Sequence, residues 1–173
     1  TELIEMRDAY SRSRPVVAII SIDNYEELIK EATDLEKSSM LAEINRKIGE
    51  WTKDSQALLR KYDRDKYIFV LEEAQFEKLQ QKKFSVLQDM RSIQSRAGVV
   101  ATLSIGIGKD GESYEENWRN AGVALDMALS RGGDQAVIKT RYNFDFFGGL
   151  SKELEKRTKV KSRVLANALV QLI

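Results

Sequence analysis

Apolar residues recur along this chain with two periods, and the changes of period mark out its elements. Leu3, Met6 and Tyr10 fall at helical spacing within residues 1–12, and Pro15 ends that pattern. Val16 to Ile22 (VVAIISI) is a continuous, β-branched apolar run, which predicts a strand buried on both faces. After Asp23 a short polar turn of helix carries Tyr25 and Leu28. Thr33-Asp34-Leu35-Glu36 has the form of a capping box. Behind it Leu41, Ile44, Ile48 and Trp51 make one stripe, so an amphipathic helix is expected over 34–52. Two strand-like runs follow, Ala57 to Leu59 and Tyr67 to Leu71, with polar Asp63-Arg64-Asp65-Lys66 between them as a hairpin turn.

Helical spacing returns over 75–95 through Phe76, Leu79, Val86, Met90 and Ile93. Val99, Ala101, Leu103, Ile105 and Ile107 then alternate with Val100, Thr102, Ser104 and Gly106, a period-two strand. Ser113-Tyr114-Glu115-Glu116 reads as a second capping box, leading a helix with Trp118, Ala121, Leu125 and Ala128 on one face. Gly132-Gly133 ends it, and short strands are expected at 135–139 and 142–147. Beyond Gly148-Gly149, the residues Val160, Val164, Leu165, Ala168, Leu169 and Leu172 form an apolar helical face. That helix either opens a following domain or packs back on the core.

The core order is β, α, β, β, α, β. It predicts an α+β, ferredoxin-like (palm) antiparallel sheet with helices packed on it. Three segments follow: a linker helix over 1–13, a globular unit over 14–147, and a linker with a first helix over 148–173. A length of 173 residues suits one domain, and 42% hydrophobic with 32% charged residues suits a globular one. Lys+Arg is 28 against Asp+Glu 27, so the net charge of +1 gives no electrostatic case for nucleic acid or a membrane surface. No apolar run reaches membrane-spanning length.

Absences narrow the chemistry. Without Cys or His, thiol and imidazole catalysis and zinc sites are excluded. Any metal must rest on oxygen ligands, which favours Mg²⁺ or Mn²⁺ together with a phosphate. The chain opens at Thr1 with no initiator Met, and is expected to be a piece of a longer protein.

Three stretches carry a resemblance: VVAIISIDNYEEL, YDRDKYIFVLEE and ATLSIGIG. In order and spacing they resemble a GGDEF (diguanylate cyclase-like) domain over residues 14–147. The departures bear on function. The family's first metal-binding Asp falls on Ser21, its second on Asp23, and its aromatic on Tyr25. The signature reads Asp63-Arg64-Asp65-Lys66-Tyr67, so both glycines carry side chains and the acidic residue after the metal ligand is Lys66. The segment whose Lys and Arg hold the triphosphate is similar to Ala128–Asp134, with Leu129 and Gly133 in those places. The product-inhibition motif falls on Asp54 and Ala57 and is absent. Gly132-Gly133-Asp134 imitates the signature, but it follows a helix and reads as a helix end entering a short strand.

This pattern, with SRGGDQAVIK and the segment Arg157 to Leu169, resembles the GdpP/YybT family of membrane-bound cyclic-di-AMP phosphodiesterases. The resemblance implies a membrane-anchored parent at the cytoplasmic face, with PAS and DHH/DHHA1 domains flanking a degenerate GGDEF domain. The domain is then expected to be a soluble piece and a homodimer, to make no cyclic dinucleotide, to hydrolyse ATP weakly at most, and to regulate the phosphodiesterase. Asp23 and Asp65 would hold one metal ion. Ser21, Ile22, Tyr25, Arg64 and Lys66 would contact the nucleotide. Plainer roles stay open beside these: Asp23 as a helix N-cap, Asp63 and Asp65 as turn formers, Arg64 and Lys66 as solvated cations, Tyr25 as core. Two other readings stand next to it, a signal-relay module that binds no nucleotide and an active cyclase with a variant signature.

Overall fold

The computed structural model describes residues 1–149; the expected helix over 160–172 lies outside them. In chain order the elements are α1 (Glu2–Arg12), β1 (Pro15–Ile22), α2 (Tyr25–Ile29), α3 (Asp34–Thr52), β2 (Leu58–Lys61), β3 (Lys66–Glu72), α4 (Glu73–Gln81), α5 (Val86–Met90), β4 (Leu103–Gly108), α6 (Tyr114–Ser130), β5 (Gln135–Lys139) and β6 (Phe144–Gly148). The strands form one sheet in the order β2-β3-β1-β4-β5-β6.

β1 is central and every residue after Pro15 is buried, as its unbroken apolar run predicts. It pairs antiparallel with β3 (Ile20 opposite Tyr67) and with β4 (Ile20 opposite Ile105). Its alternate residues serve two cores. Val16, Ala18, Ile20 and Ile22 join Leu28, Ile44, Ile48, Trp51, Phe76, Leu79 and Met90 from α2 to α5 on one face. Val17 and Ile19 meet Ala121 and Leu125 of α6 on the other. α6 lies close enough to the sheet that a Cβ at Gly106 would come within 2.2 Å of the Ala121 carbonyl oxygen.

The four strands β1 to β4 have the expected ferredoxin-like arrangement. The sheet is not antiparallel throughout, however: β5 joins β4 in parallel, because α6 carries the chain back across the sheet between them. The helix expected over 75–95 is two helices. Lys83 and Phe84 both take left-handed backbone (φ 50° and 53°) between α4 and α5. That conformation costs of order 1–3 kcal/mol per residue. It lets the Phe84 ring, 1% exposed, enter a cluster with Trp51, Phe76 and Phe147 at centroid distances of 5.9, 6.4 and 5.0 Å.

The alternating run from Val99 becomes strand only at Leu103. β1 ends at Ile22, opposite Leu103, so the earlier residues have no β1 residue to pair with. Val100 instead makes an isolated bridge with Gln94, and its carbonyl accepts from Asn24 Nδ2 at 2.6 Å. The Thr33–Glu36 capping box is complete. The second is half formed: Ser113 Oγ accepts from the Glu116 N–H, while the Glu116 carboxylate takes the Glu112 N–H. Among the described residues, no helix is long and apolar enough to cross a membrane.

Candidate functional site

Two turns meet at one end of the sheet. The Ile22 N–H at the end of β1 donates to the Asp65 carbonyl at 2.9 Å, which joins the β1–α2 turn to the β2–β3 turn. Between them lies a cleft of about 400 Å³ lined by Ile22, Asp23 and Tyr25 on one side and Asp63, Arg64, Asp65 and Lys66 on the other. Six of the seven residues expected at a site thus come together. Ser21 does not: it is buried within β1 and is not part of the cleft lining.

The hairpin turn is built from its own polar groups. The Tyr62 and Asp63 N–H groups both point to the Lys66 carbonyl, and Asp63 Oδ1 accepts the Arg64 N–H at 2.7 Å. Asp63 therefore serves as a turn former. Asp65 faces its neighbour, with Lys66 Nζ 3.2 Å from each carboxylate oxygen. Arg64 reaches across the cleft to Glu26 at 3.0 Å and lies over the Tyr25 ring, 5.9 Å from its centroid. Tyr25 is 7% exposed, so it forms the wall on which Arg64 rests.

Asp23 turns the other way. Its Oδ2 accepts from the Thr102 hydroxyl and from the Asp134 N–H, both at 2.9 Å. The N-cap of α2 is Asn24, so Asp23 caps nothing on that helix. It braces the turn between α6 and β5, and a Cβ added to Gly133 would sit 2.8 Å from Asp23 Oδ2. Asp134 itself is 4% exposed, holds left-handed backbone (φ 58°), and pairs with Arg91 Nη2 at 2.7 Å. α6 ends at Ser130 and β5 begins at Gln135, so the backbone of Gly132-Gly133-Asp134 is the helix end the sequence suggested. The Arg91–Asp134–Asp23–Thr102 chain joins residues that no motif in the sequence links. Its one sequence signal is an Asp placed directly after two glycines, at a position suited to left-handed backbone.

The acidic donor set is sparse. Among the described residues no group of three or more acidic side chains is arranged to hold a metal. Both carboxylates on the cleft that were expected to share an ion have partners within the protein: Asp23 accepts from Thr102 and Asp134, and Asp65 from Lys66.

Behind the cleft, Tyr67 donates its hydroxyl proton to Asn45 Oδ1 at 2.5 Å. Burial, with a smaller contribution from Tyr25, pushes its ionisation up to about 12. Its folded value lies above its unfolded value near 10. The stability it contributes is therefore complete below about pH 10 and is lost as pH rises towards 12. Titration of tyrosinate absorbance is expected to show a component near pH 12 that the Tyr67→Phe variant lacks.

The fold defines the class. Solved GGDEF domains share the fold, among them the active GGEEF domain of a diguanylate cyclase from Vibrio cholerae. That structure matches with a TM-score of 0.62 at 16% identity, over 78% of this chain and 89% of its own. The family follows from the sequence. Residues 20–146 match the model "Cyclic-di-AMP phosphodiesterase GdpP-like, GGDEF domain", and the chain belongs to that family. It is 38% identical over 174 residues to the cyclic-di-AMP phosphodiesterase GdpP of Geobacillus thermodenitrificans and 34% identical to that of Bacillus subtilis. In each case the match covers all of this chain and 26% of the relative, so the chain spans about a quarter of these proteins.

Proposed function

We propose that this chain is the regulatory GGDEF domain of a membrane-anchored cyclic-di-AMP phosphodiesterase, lying at the cytoplasmic face between PAS and DHH/DHHA1 domains. In this reading it forms no cyclic dinucleotide. Its cleft takes ATP weakly with Mg²⁺ or Mn²⁺ and hydrolyses it slowly, and occupancy adjusts the phosphodiesterase. The observation that carries the reading is the cleft itself, which gathers Asp23, Asp65, Arg64 and Lys66 at the joined turns. The ion would be held by Asp65 and Asp23 and would offset phosphate charge. Lys66 and Arg64 are the cations in reach of phosphate oxygens, once Arg64 releases Glu26. Cyclisation is disfavoured because the signature glycines are replaced by Asp63 and Arg64, whose side chains occupy space where backbone would have to approach a nucleotide.

A second reading, a relay module that binds no nucleotide, is favoured by the engagement of Asp23 with Thr102 and Asp134. Titration of ATP with Mg²⁺ into the chain separates the two. Weak binding that the Asp65→Asn and Lys66→Ala variants each reduce supports the nucleotide site. Absent binding leaves the relay, and binding unchanged in both variants overturns the assignment of the nucleotide to this cleft. Mass analysis after incubation with ATP or GTP is expected to find no cyclic dinucleotide, and finding one would overturn both readings.

A further inference from the structure

Asp23 belongs to two places at once. It lines the cleft, yet its Oδ2 accepts from the Thr102 hydroxyl and the Asp134 N–H, both at 2.9 Å. Bonds to an ionised carboxylate are charge-assisted and strong. Both donors are themselves fixed. The Thr102 carbonyl accepts the Asp23 N–H at 3.1 Å. Asp134 is buried, and its carboxylate takes Arg91 Nε at 3.0 Å and Nη2 at 2.7 Å. The turn that holds Asp134 in turn supports the last described residues. Gln135 lies opposite Gly148 in the β5–β6 pair, and a Cβ on Gly148 would stand 3.3 Å from the Asp134 carbonyl oxygen. One carboxylate therefore links the cleft at the end of β1 to β5 and to β6 at the far edge of the sheet.

We infer that Asp23 is a latch with two exclusive settings, so that loading of the cleft releases the α6–β5 turn. The inference rests on the nucleotide reading given above. In the setting described, Oδ2 serves Thr102 and Asp134. In the other, the carboxylate serves a divalent ion shared with Asp65. The two exclude each other for a geometric reason. An oxygen of this kind has two lone pairs, and both of those on Oδ2 are taken. Oδ1 is buried. Neither oxygen meets an ion in the cleft unless the carboxylate turns, and turning breaks both bonds. Thr102 and Asp134 are thus positioning residues, which act on the cleft through Asp23. Such a coupling is reciprocal. Whatever weakens the hold of Thr102 tightens the binding of metal and nucleotide, and binding loosens the turn by the same factor.

The test reads both ends in the chain. Amide exchange at Asp134 is measured with and without saturating Mn²⁺ and ATP. Loading is expected to speed it about tenfold, within the usual range of coupling between sites, because the acceptor has left; the Gly148 amide is expected to follow in the same direction. Thr102→Val keeps the backbone pairing and removes the hydroxyl. It is expected to tighten Mn²⁺–ATP binding several-fold and to speed Asp134 exchange in the unloaded chain, while Thr102→Ser keeps parent values for both. A side chain that only supported the fold would weaken binding when lost. Circular dichroism and melting temperature verify that the variants fold, and the exchange measurement on the parent chain decides without them. Binding that Asp65→Asn reduces, with Asp134 exchange unchanged on loading, overturns the latch and leaves the nucleotide site standing. Equal or weaker binding by folded Thr102→Val does the same. Absence of Mn²⁺–ATP binding in both the parent chain and Thr102→Val overturns the latch and the nucleotide site together.

Discussion

Gly106→Ala is expected to destabilise the domain by about 3 kcal/mol, near the upper end of what overpacking costs. The added methyl would stand 2.2 Å from the Ala121 carbonyl oxygen and 2.3 Å from the Leu125 nitrogen. Both are backbone atoms of α6 and neither can swing aside. Relief requires the whole helix to lift from β1, β4 and β5, opening the seam where Val17, Ile19, Ala121 and Leu125 meet. The same exchange at Gly49 is the control. It sits inside α3 with nothing within 4 Å of its added Cβ, so alanine there is expected to add roughly 0.5–1 kcal/mol of helix stability. Urea unfolding of both variants checks the pair. A Gly106→Ala midpoint equal to that of the parent chain would show that α6 does not hold the close approach described.

Asp23→Ala is expected to cost about 2–4 kcal/mol: two hydrogen bonds to a charged acceptor, worth about 1.5–3 kcal/mol each, are lost, and because they share one carboxylate their losses add to less than the sum. The Thr102 hydroxyl and the Asp134 N–H would both lose their acceptor, the latter on a buried residue. Asp23→Asn keeps an acceptor oxygen and is expected to fall between the two. The local signature is faster hydrogen exchange of the Asp134 amide in the alanine variant. Parent-like stability together with an unchanged Asp134 exchange rate would mean that Asp23 does not brace the α6–β5 turn.

Much of this architecture was legible in the residue pattern, and the exceptions have physical causes. β1, α3 and α6 are long and strongly patterned, and they form where periodicity places them. The misplaced start of β4 shows why alternation is not enough: Val99 and Ala101 alternate correctly, but β1 has already ended and a strand needs a neighbour. The split at Lys83 and Phe84 gave no local warning, since neither residue favours left-handed backbone. Only the aromatic cluster formed by distant Trp51, Phe76 and Phe147 accounts for it. At the cleft, the sequence placed the two turns together by way of a family resemblance. It did not reveal which way Asp23 points, because that depends on Thr102 and Asp134, which are remote in the chain. Position in a motif points to Ser21 as a site residue, yet burial within β1, opposite Lys66, keeps it out of the cleft lining.

The place of β1 at the middle of the sheet also bears on how this protein is made. Synthesis proceeds from the N-terminus, so VVAIISI leaves the ribosome among the first residues of the domain, while one of its two pairing partners, Leu103–Gly108, is among the later ones. Until then both flanks of an apolar, β-branched strand cannot be satisfied together. Pairings so distant in sequence also form slowly. The nascent chain therefore passes through an interval in which an apolar, β-branched stretch is uncovered, the kind of transiently exposed strand that favours aggregation.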